Sequence, residues 1–556
     1  MKNHSMLTPF FFIFLLFFIN HHITVVTSTP PYIAVDNIAL NCGSFGNSKA
    51  TDKRDWIGDK GSKYSPMEQN NESNSSKAQR QASSVEPIPY STARLSYSQF
   101  TYVFPVTPGP KFVRLYFYSA AYLGFTKSKD FFTVKAGSFT LLRNFSASIY
   151  TDSSDEKYFV KEFCINVEKN KKLNLTFIPF KSGSISYYAF INGIEVVSMP
   201  KDYMYYTSSS SIIEGKVPVY VGQALQFYIN YSMALEMVYR LNIGGSSIPQ
   251  VEDTGMFRQW SEVRTDYLLT DGVNPRDPSL KLKYSKIPKY IAPDTVYQSA
   301  VSMGPNSTRN SMSNLTWGLP VETGFNYLVR LHFCEIDSKI HVSGTRVFAI
   351  YVDYQLAEET ADVISWADNS YTPYYKDYVV MIQNKGEDSH TLAIDLHPST
   401  DATFCDAILN GVEVFKLSDL SGNLAGLNMV PPPMDQQPAL AANKSNTKKT
   451  IFIAIGSGVG FLVVAALVCF MVLCKLKMTE RYGSCHPLAK WWRWFRPDPY
   501  KREFSRRTAS SLPGELCHYF RLDEIKTATN NFNEDLIVGV GGFGNVYKGL
   551  IEQGNE

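Results

Sequence analysis

The chain has 556 residues, 44% hydrophobic and 19% charged, with a formal net charge of +3. That composition excludes a disordered or coiled-coil protein, and the small charge makes nucleic acid a poor partner. Aromatics reach 14%, with 36 Phe and 34 Tyr, which favours β-rich layers over helix bundles; the length suggests three or four domains.

Phe10 to Ile19 are ten consecutive apolar residues behind Lys2. The run is too short to span a bilayer, and small residues follow at Val26-Thr27-Ser28. Residues 1–28 therefore read as a signal peptide.

The next 400 residues repeat themselves. Val113-Arg114-Leu115-Tyr116-Phe117 recurs as Val329-Arg330-Leu331-His332-Phe333, and Ala189-Phe190-Ile191-Asn192-Gly193-Ile194-Glu195-Val196 recurs as Ala407-Ile408-Leu409-Asn410-Gly411-Val412-Glu413-Val414. Arg54-Asp55-Trp56 precedes Arg258-Gln259-Trp260 in the same way. The matches keep their order while the offset drifts, as insertions would make it do. Two units follow, at 29–210 and 211–420. Within them apolar residues alternate with period two, as in Leu173, Leu175, Phe177, which predicts strands. Asn192-Gly193 and Asn410-Gly411 read as hairpin turns. The expectation is a mainly β protein of two tandem antiparallel β-sandwiches. The Ser/Asn/Gln-rich stretch 69–84 lacks a counterpart in the second unit and reads as a mobile surface insertion.

Cys42, Cys164, Cys334 and Cys405 lie in these units. Four cysteines allow three connectivities. The repeat aligns Cys334 with Tyr118 and Cys405 with Tyr187, so the same two positions hold Cys and Cys in one unit and Tyr and Tyr in the other. A disulfide in one copy and an aromatic pair in the other would explain that. The reading is Cys334–Cys405, leaving Cys42–Cys164; the alternative is four independent buried thiols.

Residues 421–450, with Pro431-Pro432-Pro433, read as an extended stalk. Ile451 to Cys474 are 24 residues without a charge, long enough at about 1.5 Å per residue to cross the ~30 Å hydrocarbon core as one transmembrane helix. Gly456 and Gly460 could form a helix-dimer face. From Lys475 to Arg507 ten Lys/Arg oppose Glu480, Asp498 and Glu503, giving 10 − 3 = +7. The positive-inside rule then places the N-terminal part outside and the C-terminus in the cytosol. In the basic segment 475–519, Trp491, Trp492, Trp494 and Phe495 stand among Lys490, Arg493 and Arg496, a composition suited to the inner leaflet. Past residues 1–28, glycosylation sequons begin at Asn71, Asn74, Asn144, Asn174, Asn230, Asn306, Asn314 and Asn443. All eight fall between the two apolar runs, as a secreted, glycosylated ectodomain requires.

Residues 520–556 carry Gly539-Val540-Gly541-Gly542-Phe543-Gly544-Asn545-Val546-Tyr547-Lys548-Gly549. G-x-G-x-x-G-x-V between two strands lets backbone N–H groups approach ATP phosphates without Cβ interference. Gly539, Gly541, Gly542, Phe543, Gly544 and Val546 are the candidate nucleotide-loop residues, and Asp523–Thr529 ahead of them reads as an amphipathic helical turn.

Asn41-Cys42-Gly43, the paired Asn-Gly-Ile/Val-Glu-Val motifs, Leu331-His332-Phe333-Cys334-Glu335, and Glu524-Ile525-Lys526-x-Ala528-Thr529-x-Asn531-Phe532 ahead of the glycine loop resemble the malectin-like receptor-like kinases of plants. The resemblance is to the FERONIA-type (Catharanthus roseus receptor-like kinase 1-like) subfamily and covers almost all of the mature chain. It implies a single-pass plasma-membrane receptor Ser/Thr kinase with its N-terminus extracellular. Its implied partners are a secreted cysteine-rich RALF-like peptide, a GPI-anchored co-receptor or cell-wall polysaccharide, and its cofactor is ATP. The strand-three lysine, the H-R-D loop and the D-F-G ligand do not occur in these 556 residues, and Lys548 belongs to the loop itself. Phosphoryl transfer depends on those groups, so the chain as given is expected to be inactive as a kinase and not to bind ATP, and could act as a decoy receptor.

Two other readings of the ectodomain differ in class. A carbohydrate-binding module would use aromatic faces such as Tyr203, Tyr205 and Tyr206, unless these pack between the sandwiches. A hydrolase lacks support: no serine elbow or H-E-x-x-H occurs, and His332, His341, His390 and His397 have no zinc-site spacing. No catalytic or metal residue is assigned.

Overall fold

The computed structural model describes residues 32–426 and 522–549, apart from 69–72, 155, 170, 184, 203, 209–210, 213–215, 534–535 and 542–543. The signal peptide, Asn71, most of the stalk with Asn443, the apolar span 451–474 and the basic segment through 519 lie outside the described residues. Among the described residues no helix is long and apolar enough to cross a membrane.

The described residues between 32 and 426 form one compact unit. Its spine is a single long sheet running through both repeats. From the second repeat outward the order is Tyr374–Ile382, Phe325–Phe333, Gly411–Leu417 and Leu235–Asn242, then Tyr158–Val167, Gly109–Tyr118, Gly193–Ser198 and Asn37–Phe45 of the first. The junction is the antiparallel pairing of Tyr158–Val167 with Leu235–Asn242, where Glu162 faces Met237 and Cys164 faces Leu235. The repeats are thus fused edge to edge, which removes two exposed sheet edges at once.

Each repeat adds a second sheet. In the first it contains Phe139–Ser146, Phe131–Ala136, Leu173–Pro179 and Phe100–Phe104; in the second, Leu315–Glu322, Ser389–Pro398, Phe348–Val352 and Gln355–Ala361. Val113, Leu115 and Phe117 share one core with Phe100, Phe132 and Phe177. Val329, Leu331 and Phe333 share the other with Trp317, Ile350 and Ile394. The period-two pattern is the physical cause: one side of each long-sheet strand is apolar and faces its partner sheet.

The Asn-Gly pairs are not hairpin turns. Ala189–Ile191 pairs with Thr92–Ser96, while Gly193–Ser198 pairs with Gly109–Tyr118; Asn192 is the point where one strand changes sheet. A type I′ turn needs positive φ at both central residues, and neither Asn192 nor Gly193 has it. The asparagine fills the gap in the ladder. Asn192 Oδ1 accepts from Tyr118 N at 2.8 Å and its Nδ2 donates to Thr92 O at 2.8 Å. Asn410 repeats both bonds, with Cys334 N at 2.7 Å and Ser299 O at 2.8 Å. Gly43 and Gly244 are another matched pair, with φ of +79° and +73°; a Cβ would lie 2.3 Å from Ala93 O and 2.0 Å from Ala300 O respectively.

The chain ends cross over. Tyr32 N donates to Thr254 O at 3.1 Å, and Tyr32 and Ala34 pack on the second repeat's core. At the other end Leu424 lies in the first repeat's core. Residues 421–426, read from composition as the start of the stalk, therefore belong to the folded body. The 69–84 insertion is likewise part of it in its second half, because Asn74–Lys77 pairs with Thr92–Ser96.

In the C-terminal unit Leu522–Ala528 is a helix and Ile537–Gly541 pairs antiparallel with Gly544–Tyr547. The Phe532 and Tyr547 rings meet edge-on at 5.6 Å.

Candidate functional site

Strand alternation puts Arg114, Glu162, Glu195, Arg240, Arg330, Asp377 and Glu413 on the face of the long sheet opposite the two cores. Such a face is ordinarily wet. Here all seven side chains are buried, and they form a line of alternating sign across adjacent strands. Arg114 pairs with Glu162 at 2.5 Å and with Glu195 at 3.4 Å. Arg240 reaches Glu162 at 2.9 Å on the first repeat and Glu413 at 2.7 Å on its own. Arg330 lies opposite Glu413 in register and holds Asp377 through two bonds of 2.8 Å. Burial alone would push the Glu162 and Glu413 carboxyls up, but the guanidinium of Arg240, aided by Arg114 on Glu162 and by His332 on Glu413, outweighs it and holds both below the usual range.

Backbone from loops closes this face. Arg114 Nη2 donates to Met256 O at 2.9 Å and Arg330 Nη2 to Met204 O at 2.6 Å. Tyr205 donates to Glu413 at 2.6 Å. Tyr205 and Tyr206 are buried, so they pack between the repeats and offer no sugar-stacking surface; Tyr203 lies outside the described residues. Tyr116 and His332 hold equivalent places. The Tyr116 hydroxyl donates to Glu195. His332 Nε2 lies 3.2 Å from Glu413 and its Nδ1 lies 2.9 Å from the Tyr297 hydroxyl. Burial lowers the His332 pKa despite Glu413, which fits a neutral ring donating from Nε2 and accepting at Nδ1.

Among the described residues, two clefts open on the second repeat. One, of about 470 Å³, is lined by Tyr354, Gln355, Met381, Lys385, Glu387 and His390. Asp353 and Tyr354 form the two-residue turn between Phe348–Val352 and Gln355–Ala361 with φ of 51° and 60°. A β-hairpin of this kind demands positive φ at both positions, and a tyrosine there is strained. The Tyr354 side chain is 73% exposed, and His390 Nε2 braces the turn at 2.6 Å from Asp353 Oδ1. The other cleft, of about 400 Å³, is lined by Arg276, Asp337, Lys339, Arg346, Phe404 and Asp406. Arg346 is clamped between Glu335 at 2.5 Å and Asp406 at 2.9 Å. Burial raises both carboxyls although Arg346 opposes it.

The cysteines depart from the sequence reading. Cys42, Cys164, Cys334 and Cys405 are four free, buried thiols. Cys42 and Cys164 lie on strands separated by Gly193–Ser198 and Gly109–Tyr118, three inter-strand spacings of about 4.8 Å and well beyond disulfide reach. Cys334 follows Phe333 into the core, where burial raises its thiol; Cys405 lies in the loop between Ser389–Pro398 and Ile408–Leu409. The aligned tyrosines are not stacked on each other: Tyr118 packs on Tyr90, and Tyr187 on Phe131 and Phe180. The repeat matched positions in the fold, not positions in contact.

Of the described sequons, Asn74, Asn174, Asn230 and Asn306 are exposed, while Asn144 and Asn314 are half-buried. Asn314 Oδ1 lies 2.9 Å from His397 Nδ1. Gly539, Gly541, Gly544 and Val546 fall in the C-terminal hairpin, with Gly541 opposite Gly544 in register; Gly542 and Phe543 lie outside the described residues. No group of three His, Cys, Asp or Glu side chains among the described residues could hold a metal.

Sequence reasoning missed the charge line and the Tyr354 turn. The first had a signal: Arg114, Arg330, Glu195 and Glu413 all stand inside the repeated motifs. The second had none, because Asp-Tyr is not a turn dipeptide.

Two sandwiches fused through one sheet, with their buried charges paired internally and open clefts on the second, have the architecture of the malectin-like class. The chain belongs to the malectin-like family, whose model, described as the malectin-like domain, matches residues 40–417. It is 39% identical to the receptor-like protein kinase FERONIA of Arabidopsis thaliana, over 95% of this chain and 60% of that protein. It is 34% identical to the receptor-like protein kinase ANXUR1 of the same plant, over 93% of this chain and 60% of that protein. The chain thus spans about 60% of the length of these curated relatives. Among solved structures, the plant receptor-like kinase FER matches with a TM-score of 0.63 and 43% identity, over 71% of this chain and all of that one. Plant peptide RALF23 in complex with FER and LLG2 matches with a TM-score of 0.63 and 42% identity, over 72% of this chain and all of that one.

Proposed function

We propose that this chain is the ligand-binding and membrane-spanning part of a plant cell-surface receptor. Its fused ectodomain captures a secreted cysteine-rich peptide together with a GPI-anchored co-receptor. The observation that carries this reading is the likeness, at 42% identity, to the FER chain in a complex with the peptide RALF23 and LLG2. The ectodomain supports it physically. Its buried charges are matched inside the fold, which pre-organises the surface it presents, and pre-organisation lowers the entropy lost on binding. The apolar span 451–474 and the +7 flank behind it orient the receptor with its N-terminus outside the plasma membrane. Glycans on the exposed sequons Asn74, Asn174, Asn230 and Asn306 fit that placement. The Gly539–Gly544 sequence has the spacing of a kinase phosphate loop; in a complete kinase domain Gly539, Gly541 and Gly544 would leave backbone N–H groups open to ATP and Val546 would cover the base, while this chain as given is not expected to bind it.

A second reading has its own observation. Tyr354 presents an exposed ring over the 470 Å³ cleft, and such a face stacks on sugars as readily as on peptides. Calorimetry of the purified ectodomain decides between them. Saturable binding of a RALF-type peptide that strengthens when an LLG-type co-receptor is added supports the receptor reading. Binding of cell-wall oligosaccharides with no response to the peptide would replace it with the carbohydrate reading.

A further inference from the structure

The segment after the last strand of the second repeat returns to the first. Ser418 N donates to Ala234 O at 2.9 Å as the segment leaves the long sheet. Asp419 Oδ1 then accepts from Ser421 N and Asn423 N at 2.9 Å each, which folds residues 419–423 into a tight turn with Gly422 at φ +78°. The turn docks on Phe139–Ser146. Thr140 N donates to Gly422 O at 3.0 Å and Leu424 N to Thr140 O at 2.9 Å, and Arg143 donates to Asn423 at 3.0 Å. Leu424 then enters the first repeat's core, fully buried.

Beneath this segment lies the ionic cluster of the junction. Lys161 from the first repeat and Lys416 from the second both hold Glu236, at 2.9 and 2.6 Å, and Lys416 also holds Glu322 at 2.7 Å. Leu424, Ala425 and Gly426 roof the small cavity that these four side chains line with Leu141 and Phe145. A Cβ on Gly426 would lie 2.4 Å from Glu322 Oε2, so the roof is in close contact with the cluster.

We propose that residues 418–426 are a conformational latch. Seated, Leu424 and the Gly422–Thr140 bonds help keep Glu236 and Lys416 buried and hold the two repeats in register through the Lys161–Glu236–Lys416 cluster. Unseated, the cluster is more fully hydrated, its pairs weaken with the rise in local dielectric, and the short pairing of Glu162–Cys164 with Leu235–Met237 loosens while each repeat keeps its own core. The junction is the place for this, because among the described residues its backbone ladder is only three residue pairs long, at Glu162, Phe163 and Cys164. The chain continues from Gly426 into residues 427 onward, so a pull or a partner acting on that continuation reaches the latch before either core. The latch is independent of which ligand the ectodomain takes.

Hydrogen–deuterium exchange of the full chain tests it. Leu424→Ala removes the core plug and leaves the backbone bonds. It should speed exchange of Glu162–Cys164 and Leu235–Met237 at least about tenfold while Phe348–Val352, which has no part in the cluster or its cavity, keeps its rate. Thr140→Cys with Asn423→Cys, on positions bridged in parallel, should slow the same junction amides when oxidised and release them when reduced. Acceleration confined to residues 138–146 and 418–426 would overturn the latch. If Leu424→Ala accelerates every region alike, the tethered variant decides, and no change in junction exchange between its oxidised and reduced forms would overturn the proposal.

Discussion

Glu162 of the first repeat and Arg240 of the second are joined at 2.9 Å with both side chains buried. This pair closes the gap between two ionic lines that would otherwise end at the edges of separate sandwiches. It is the reason the repeats act as one sheet.

Arg240 should therefore be among the most costly residues to truncate. Arg240→Ala leaves Glu162 and Glu413 buried without their shared cation, and breaking a buried pair costs about 3–5 kcal/mol. Denaturant unfolding of the ectodomain should show that loss, and Arg240→Ala with Glu162→Gln should cost less than the sum of the singles. Additive losses would show that the charges across the junction do not couple.

The sheet-switch asparagines should be as intolerant as core residues. Asn410→Ala strands the Cys334 N–H and the Ser299 carbonyl, a loss of about 1–3 kcal/mol for each buried group left unpaired. Asn192→Ala should match it in the first repeat. Gly411→Ala should also destabilise, because its Cβ would lie 2.8 Å from Val296 Cγ1. Thermal unfolding of the three variants checks this; an unchanged midpoint in Asn410→Ala would contradict the role.

Two carboxylates make opposite contributions with pH. Burial pushes Asp130 up to about 6, although Ser146 and Ser148 donate to it. The folded state keeps its proton where the unfolded state, with a pKa of about 3.9, has lost it. Its contribution is thus full below about 4 and is lost as pH rises through 6, up to about 3 kcal/mol. Glu236 is held down to about 2: burial opposes this, and Lys161 and Lys416 prevail. Its contribution is present above about 4.3 and lost as pH falls toward 2. Asp130→Asn should flatten the decline of stability between pH 4 and 6 and leave the acid limb intact. Unfolding free energy measured across pH 2–7 reads both.

The cysteines give a direct count. Alkylation of the denatured, unreduced ectodomain should label Cys42, Cys164, Cys334 and Cys405 alike. A bridged peptide joining Cys334 to Cys405 in mass spectrometry would contradict the free thiols.

The sequence by itself determined the class of fold and its doubling. Period-two apolar residues and an ordered internal repeat are local signals, and they sufficed to predict strands and two units; the family resemblance rested on particular motifs such as Leu331-His332-Phe333-Cys334-Glu335. The paired motifs even contained the residues of the charge line, because Arg114 and Arg330 alternate with core residues by strand geometry alone. What sequence could not decide is what covers a face or meets across a gap. Strand alternation alone turns Arg114 away from the core, and only the fold shows that Met256 closes over it. Asn192-Gly193 reads as a turn until its two flanking strands are seen to pair in different sheets. Cys334 and Cys405 read as partners because alignment between repeats preserves position in the fold but carries no information about distance. The edge-to-edge fusion itself, through Glu162 and Arg240, depends on two strands about 70 residues apart in the chain finding one register. That choice is made by the burial of paired charge and by the removal of open sheet edges, both of which exist only once the chain has folded.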